Sequence, residues 1–153
     1  MNSRYTGLAM ETREFITHSP EETIALGRTL VSLLAPPKIV LLRGDLGAGK
    51  TTLVKGIAAG FHAAAEDDVT SPTFTLVHEY RGASANLYHT DLYRVDTQRQ
   101  LETLGLDDLI SDNSILLIEW GEKFPRLRWD VGIALEGEGE SERRITITAR
   151  VAP

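Results

Sequence analysis

The sequence predicts an α/β fold in three layers: a mostly parallel sheet between helices, with an antiparallel extension. Three observations carry this. Lys38–Arg43 and Ser114–Ile118 are short runs dense in branched apolar residues, the pattern of strands buried on both faces of a parallel sheet. Segments with helical spacing lie between these and other strand-like runs. The chain then closes with two alternating strands, Asp130–Glu136 and Arg143–Val151, around the acidic, glycine-containing loop Gly137–Glu142.

Taken in order, residues 1–11 read as a loose leader and Arg13–Thr17 as a short strand. Ser19-Pro20-Glu21-Glu22 is a capping box with proline at the first helical position. The helix it opens is expected to run to Leu34, with Ile24, Leu30, Val31 and Leu34 on one face, and Pro36-Pro37 ends it. The strand Lys38–Arg43 leads through a glycine-rich loop into a helix over Thr52–Phe61, and Ala63–Asp68 is a polar linker. Thr75–Tyr80 and Leu87–Thr90 read as strands joined by a turn at Arg81–Asn86. Thr97–Leu104 is expected to be helical, with a further turn at Leu106–Ile110, before the buried strand Ser114–Ile118.

With 153 residues, 42% hydrophobic and 25% charged, the chain suits one globular domain spanning 1–153. No apolar run has the length of a membrane span, and the first residues lack a charged-then-apolar signal pattern. Zero cysteines exclude disulfides and thiolate metal sites and suit a cytoplasmic chain. A formal charge of −6 argues against gripping a nucleic-acid backbone unaided.

The sharpest motif is Gly44-Asp45-Leu46-Gly47-Ala48-Gly49-Lys50-Thr51, which fits the phosphate-binding pattern G-x-x-x-x-G-K-[ST] at every specified position. Its setting between a buried strand and a helix is the one a true phosphate loop occupies, which makes the fold P-loop NTPase-like. Glycines let successive backbone N–H groups converge on phosphate oxygens, and the helix N-terminus adds partial positive charge. Lys50 is placed to reach the β- and γ-phosphates and the Thr51 hydroxyl to take a position on Mg²⁺. A glycine-rich turn that binds nothing has no use for lysine and threonine in that order.

Three further constellations bear on chemistry. Glu119 ends the buried strand 115–118, where P-loop enzymes place an acidic residue to hold Mg²⁺. The usual residue is Asp, so Glu119 reaches one methylene further; taken alone, an apolar strand ending in Glu is commonplace. In His89-Thr90-Asp91-Leu92-Tyr93-Arg94, His89 and Asp91 share a strand face, and Asp91 could orient an attacking water or the metal's water shell. Ser71-Pro72-Thr73-Phe74-Thr75 is a stiff loop whose hydroxyls could sense the γ-phosphate, or a plain turn. Trp120 is expected beside the nucleotide or in the core; Arg143 and Arg144 reach the nucleotide or line a solvated edge. His18, His62 and His78 lack metal-ligand spacing.

The ordered set G-D-L-G-A-G-K-T-T, S-P-T-F, H-T-D-L-Y-R and I-E-W resembles the TsaE (YjeE) family over residues 19–150. The resemblance implies a small P-loop ATPase that uses Mg²⁺ and works with TsaB and TsaD. Together these make the threonylcarbamoyl modification on the adenosine beside the anticodon of tRNAs reading ANN codons, so tRNA contact is indirect. It further implies that Leu46, Gly47, Ala48, Gly49, Lys50 and Thr51 bind the ATP phosphates; Asp45 and Thr52 on either side, with Trp120 and Arg144, are read as nucleotide-binding alongside them. Thr51 and Glu119 match the metal positions, and Lys50 and Asp91 the catalytic ones. Nucleotide contacts from the first helix fall loosely on Pro20 or Glu21, and those from the late strands on Arg143 or Arg144.

A small-molecule phosphotransferase is the competing enzyme, although no lid insertion separates the core strands. A GTPase would carry an Asn-Lys-x-Asp string, and none is present. A nucleotide-sensing adaptor that binds ATP without hydrolysing it stays open, because only Asp91 argues for turnover.

Overall fold

The computed structural model describes residues 9–45, 49–65, 68–70, 72 and 77–151. Among them a seven-stranded sheet runs through the molecule in the order β1-β7-β6-β2-β5-β4-β3. The strands are β1 (Ala9–Thr17), β2 (Lys38–Arg43), β3 (Val77–Arg81), β4 (Asn86–Asp91), β5 (Ser114–Glu119), β6 (Val131–Glu138) and β7 (Glu142–Val151). The helices are α1 (Pro20–Thr29), α2 (Lys50–Gly60) and α3 (Gln98–Thr103), with short 3₁₀ turns at Leu106–Leu109 and Gly121–Lys123.

The four central strands, β6, β2, β5 and β4, are parallel. Antiparallel strands extend the sheet at both margins, β3 beside β4 and the β7–β1 ribbon beside β6. β2 and β5 are buried along almost their whole length, as continuous apolar runs covered on both faces must be. One face carries the larger core, where Leu42, Leu53, Ile57, Leu117, Ile133 and Ile145 meet under α1 and α2. The other carries a smaller cluster that includes Leu41, Leu92, Leu101, Leu116 and Phe124, beneath α3 and the segment after β5.

Local chemistry explains where the helices begin. The Ser19 hydroxyl accepts the Glu22 N–H at 3.1 Å, with Pro20 at the first helical position. Thr97 and Gln100 form a reciprocal capping box at the start of α3. Regular α1 stops at Thr29 rather than Leu34; its apolar stripe continues as a turn in which Leu34 N–H bonds to Leu30 C=O at 2.9 Å. β1 is four residues longer than expected and takes in Ala9–Glu11 of the anticipated leader, because every residue of it pairs with β7. That pairing partner lies at the far end of the chain, beyond the reach of local pattern.

α1 and α2 cross at glycines. A Cβ on Gly27 would lie 2.6 Å from the Leu53 carbonyl oxygen, and one on Gly56 would overlap the Ile24 carbonyl. Both obstacles are backbone and yield only if the helices part. Gly56→Ala should therefore destabilise the fold by about 1–3 kcal/mol, against the roughly 1 kcal/mol gain that alanine brings to an open helix. Urea unfolding checks this; a stabilised variant would mean the helices are not in backbone contact.

Candidate functional site

The C-terminal ends of β2, β5 and β4 lie side by side, and Lys50, His89, Asp91, Glu119 and Trp120 gather there, at the place where ligand sites occur in open parallel sheets. β2 delivers Gly44 and Asp45, the latter exposed. Leu46, Gly47 and Ala48 lie outside the described residues, as do Ser71 and Thr73–Thr75 of the second loop. Gly49 caps α2 at φ +102°, a conformation natural to glycine. The first turn of α2 contains no acidic residue, so nothing there cancels the positive end of its dipole. Lys50, Thr51 and Thr52 form this turn.

Lys50 is only 9% exposed. Its Nζ donates to the Gly44 carbonyl at 2.7 Å and stands 3.3 Å from Glu119 Oε1. Glu119, 4% exposed, occupies the last position of β5. Its other oxygen, Oε2, lies 2.6 Å from Nε2 of the fully buried His89. An ionised carboxylate only accepts, so the imidazole N–H is the donor. Burial is the largest single influence on Glu119 and pushes its pKa up. The hydrogen bond and attraction of His89, followed by those of Lys50, together outweigh burial and hold the carboxyl below its ordinary range.

Asp91 is the register partner of Glu119 across the parallel pair, which puts both carboxylates at one sheet end. Its Oδ1 accepts the Tyr93 N–H at 2.9 Å, shaping the turn that leaves β4. The two strand ends are tied again by Leu92 N–H to Glu119 C=O at 2.9 Å. Lys123 Nζ donates to the carbonyls of Leu92, at 3.1 Å, and Tyr93, at 2.9 Å.

Trp120 takes the core position, one of its two expected places. It packs against the smaller core, and its ring lies 5.5 Å from Lys50 Nζ and 5.2 Å from the Tyr93 ring. Its φ of +63° is uncommon for a non-glycine residue and turns the chain sharply out of β5.

Of the two late arginines, the one expected at the nucleotide, Arg144, faces away from α2. Strand alternation puts it on the opposite side of the sheet, where its Nε stands 3.7 Å from Glu14 of β1. Arg143 shares its face with Ile145 and Ile147, and a Cβ built on Gly49 would lie 4.0 Å from its Nε. Thr17, just before α1, is the register partner of Arg143, so the first helix begins beside the same sheet end. His18 binds Glu22 at 3.1 Å, consistent with a structural role.

Sequence pattern singled out His89 only as a companion of Asp91; its pairing with Glu119 needed the β4–β5 register. Lys123 was missed altogether, since a lysine after a strand carries no signal of its own. Among the described residues, no group of three His, Cys, Asp or Glu side chains is arranged to hold a metal ion. No described helix is long and apolar enough to cross a membrane.

Because folding lowers the Glu119 pKa, its ionised form contributes stability that is complete above the ordinary value of 4.5 and lost as pH falls through the folded-state value. Without nucleotide or divalent ion, wild type should lose stability relative to Glu119→Gln as pH is lowered from about 5 toward about 3. Parallel stability curves for the two proteins would show that Glu119 is not held ionised by this cluster.

Comparison with known proteins matches this arrangement to one family. The family model described as threonylcarbamoyl adenosine biosynthesis protein TsaE matches residues 17–145. The chain is similar to the tRNA threonylcarbamoyladenosine biosynthesis protein TsaE of Bacillus subtilis, 38% identical with 92% of this chain and 87% of that protein covered. The protein of the same name from Aquifex aeolicus is 37% identical, with 88% and 95% covered. A crystal structure of Bacillus subtilis YdiB superimposes with a TM-score of 0.69 at 35% identity, covering 92% of this chain and 87% of that one. The chain belongs to the TsaE family of tRNA threonylcarbamoyladenosine biosynthesis proteins.

Proposed function

We propose that this protein is a Mg²⁺-dependent ATPase with a P-loop NTPase-like fold, acting with TsaB and TsaD in tRNA threonylcarbamoylation. The observation that carries the reading is the 3.3 Å approach of Lys50, from the phosphate-loop helix, to Glu119 at the end of the neighbouring strand. Two motifs distant in sequence meet where a triphosphate would end. The donor set suits Mg²⁺: a carboxylate held ionised and a threonine hydroxyl are hard oxygen ligands. Mg²⁺ typically takes one or two carboxylates and completes its shell with phosphate oxygens and water, so Thr51 and Glu119 would suffice from the protein. Bound there, the ion would neutralise charge on the phosphate oxygens.

The chain's own groups would do the rest. Backbone N–H groups of the loop Asp45–Gly49, with Thr51 and Thr52 behind it, would cradle the phosphates. Lys50 would exchange its carboxylate and carbonyl partners for phosphate oxygens. Asp91, beside Glu119, would orient the attacking water. Arg143, rather than Arg144, would reach the nucleotide from the sheet. The acidic net charge of −6 leaves tRNA contact to the partners and fits a cytoplasmic protein without a membrane role.

Losing one or two charge-assisted hydrogen bonds, Lys50→Ala should weaken ATP binding by about 10–100-fold. Asp91→Ala should keep affinity within about threefold yet cut turnover by roughly 100-fold or more. Wild-type hydrolysis by Asp91→Ala with TsaB and TsaD present would remove Asp91 from catalysis. Phosphate release should be slow for the protein alone, rise when TsaB and TsaD are added, and prefer ATP over GTP. Transfer of phosphate to a small acceptor instead would identify a kinase.

A further inference from the structure

Glu119 carries one more rotatable bond than the Asp usual at such a strand end, so a metal-holding carboxylate here needs something to stop it swinging. We infer that His89 is that device: a positioning residue that pins Oε2 of Glu119 and leaves Oε1 turned toward Lys50 and the phosphate loop. The inference rests on the metal-binding reading of Glu119 given above.

Three features support it. The 2.6 Å contact joins two side chains on adjacent, hydrogen-bonded strands, so the pin comes from rigid framework rather than a loop. His89 is completely buried, yet Nδ1 has no hydrogen-bond partner, which leaves Glu119 as the ring's one polar contact among the described residues. Core packing does not account for that identity, because an apolar side chain would fill the space without an unmet nitrogen. Finally, the two oxygens of Glu119 are divided between unlike partners. Lys50 is a long, flexible side chain with a second contact at Gly44 C=O, so it can leave Oε1; His89 has no other polar partner among the described residues. The ring thus holds the carboxylate in a single-oxygen presentation.

The test is Mn²⁺ affinity, followed by its electron paramagnetic resonance signal on ADP-loaded protein, so that turnover plays no part. His89→Asn keeps an amide but falls short of Glu119, and should weaken Mn²⁺ binding about 10-fold or more, the usual effect of losing a partner that orients a ligand. His89→Gln places its amide N–H near the native Nε2 and should stay within about threefold of wild type. ADP affinity in EDTA should be unchanged in both. In the His89→Asn/Glu119→Gln double variant the loss should be no greater than in Glu119→Gln alone. Wild-type Mn²⁺ affinity in His89→Asn, equal losses for Asn and Gln, or additive losses would each overturn the positioning role. If Glu119→Gln itself leaves Mn²⁺ affinity unchanged, the metal reading fails and the positioning role falls with it. Should His89→Asn not fold, ¹⁵N-histidine-labelled wild type answers the same question. Its buried Nε2–H signal should shift on Glu119→Gln, and an unmoved signal would overturn the proposal.

Discussion

The site depends on the parallel pairing of β2 with β5 in a register that sets Leu42 opposite Glu119. β2 leads into the glycine-rich segment that opens α2, and β5 ends in the carboxylate, so this pairing sets the strand ends at which Lys50 and Glu119 come within 3.3 Å. A slip of one residue would turn Glu119 to the other face and set Ile118 toward α2 in its place. The continuous apolar runs of β2 and β5, covered on both sides, hold these strands at the centre of the sheet, and the pairing of the sheet as a whole sets their register. The same pairing extends to β4, whose end supplies His89 and Asp91 from the other flank.

Such a cluster is poorly explained as a device for stability. Burying a lysine and a glutamate removes both from water, and their mutual attraction commonly does no better than well-packed apolar residues would. Here the pair is nevertheless buried, at 9% and 4% exposure, and is completed by a histidine with one nitrogen unmet among the described residues. Trp120, in the left-handed region beside it, adds backbone strain of about 1–2 kcal/mol. Strain and buried charge in one place are the mark of a site organised for function, with the remaining core bearing its cost.

That core achieves this partly through close backbone approach. α1 and α2 meet at Gly27 and Gly56, where no side chain separates them. The contact seats α2 firmly over β2 and β5, which keeps its N-terminus, and hence Lys50, aimed at the strand ends. On the far side of the site, Lys123 grips the Leu92 and Tyr93 carbonyls and ties the turn after β4 to the segment after β5. The two fastenings hold the phosphate-side and carboxylate-side walls from different faces of the sheet.

What the sequence determined by itself was local: the capped start of α1, the two buried strands, the glycine-rich motif leading into α2 and the acidic residues closing β4 and β5. These follow from short-range chemistry, in which a cap, an apolar run or a glycine pattern needs no distant partner. Only tertiary structure decided which of two adjacent arginines faces the loop, because strand alternation sends Arg143 and Arg144 to opposite sides. It also decided that β1 starts at Ala9, through pairing with β7, and that His89 belongs to Glu119. Each of those outcomes turns on the register between strands far apart in the chain, and register is set by the whole sheet rather than by any one segment.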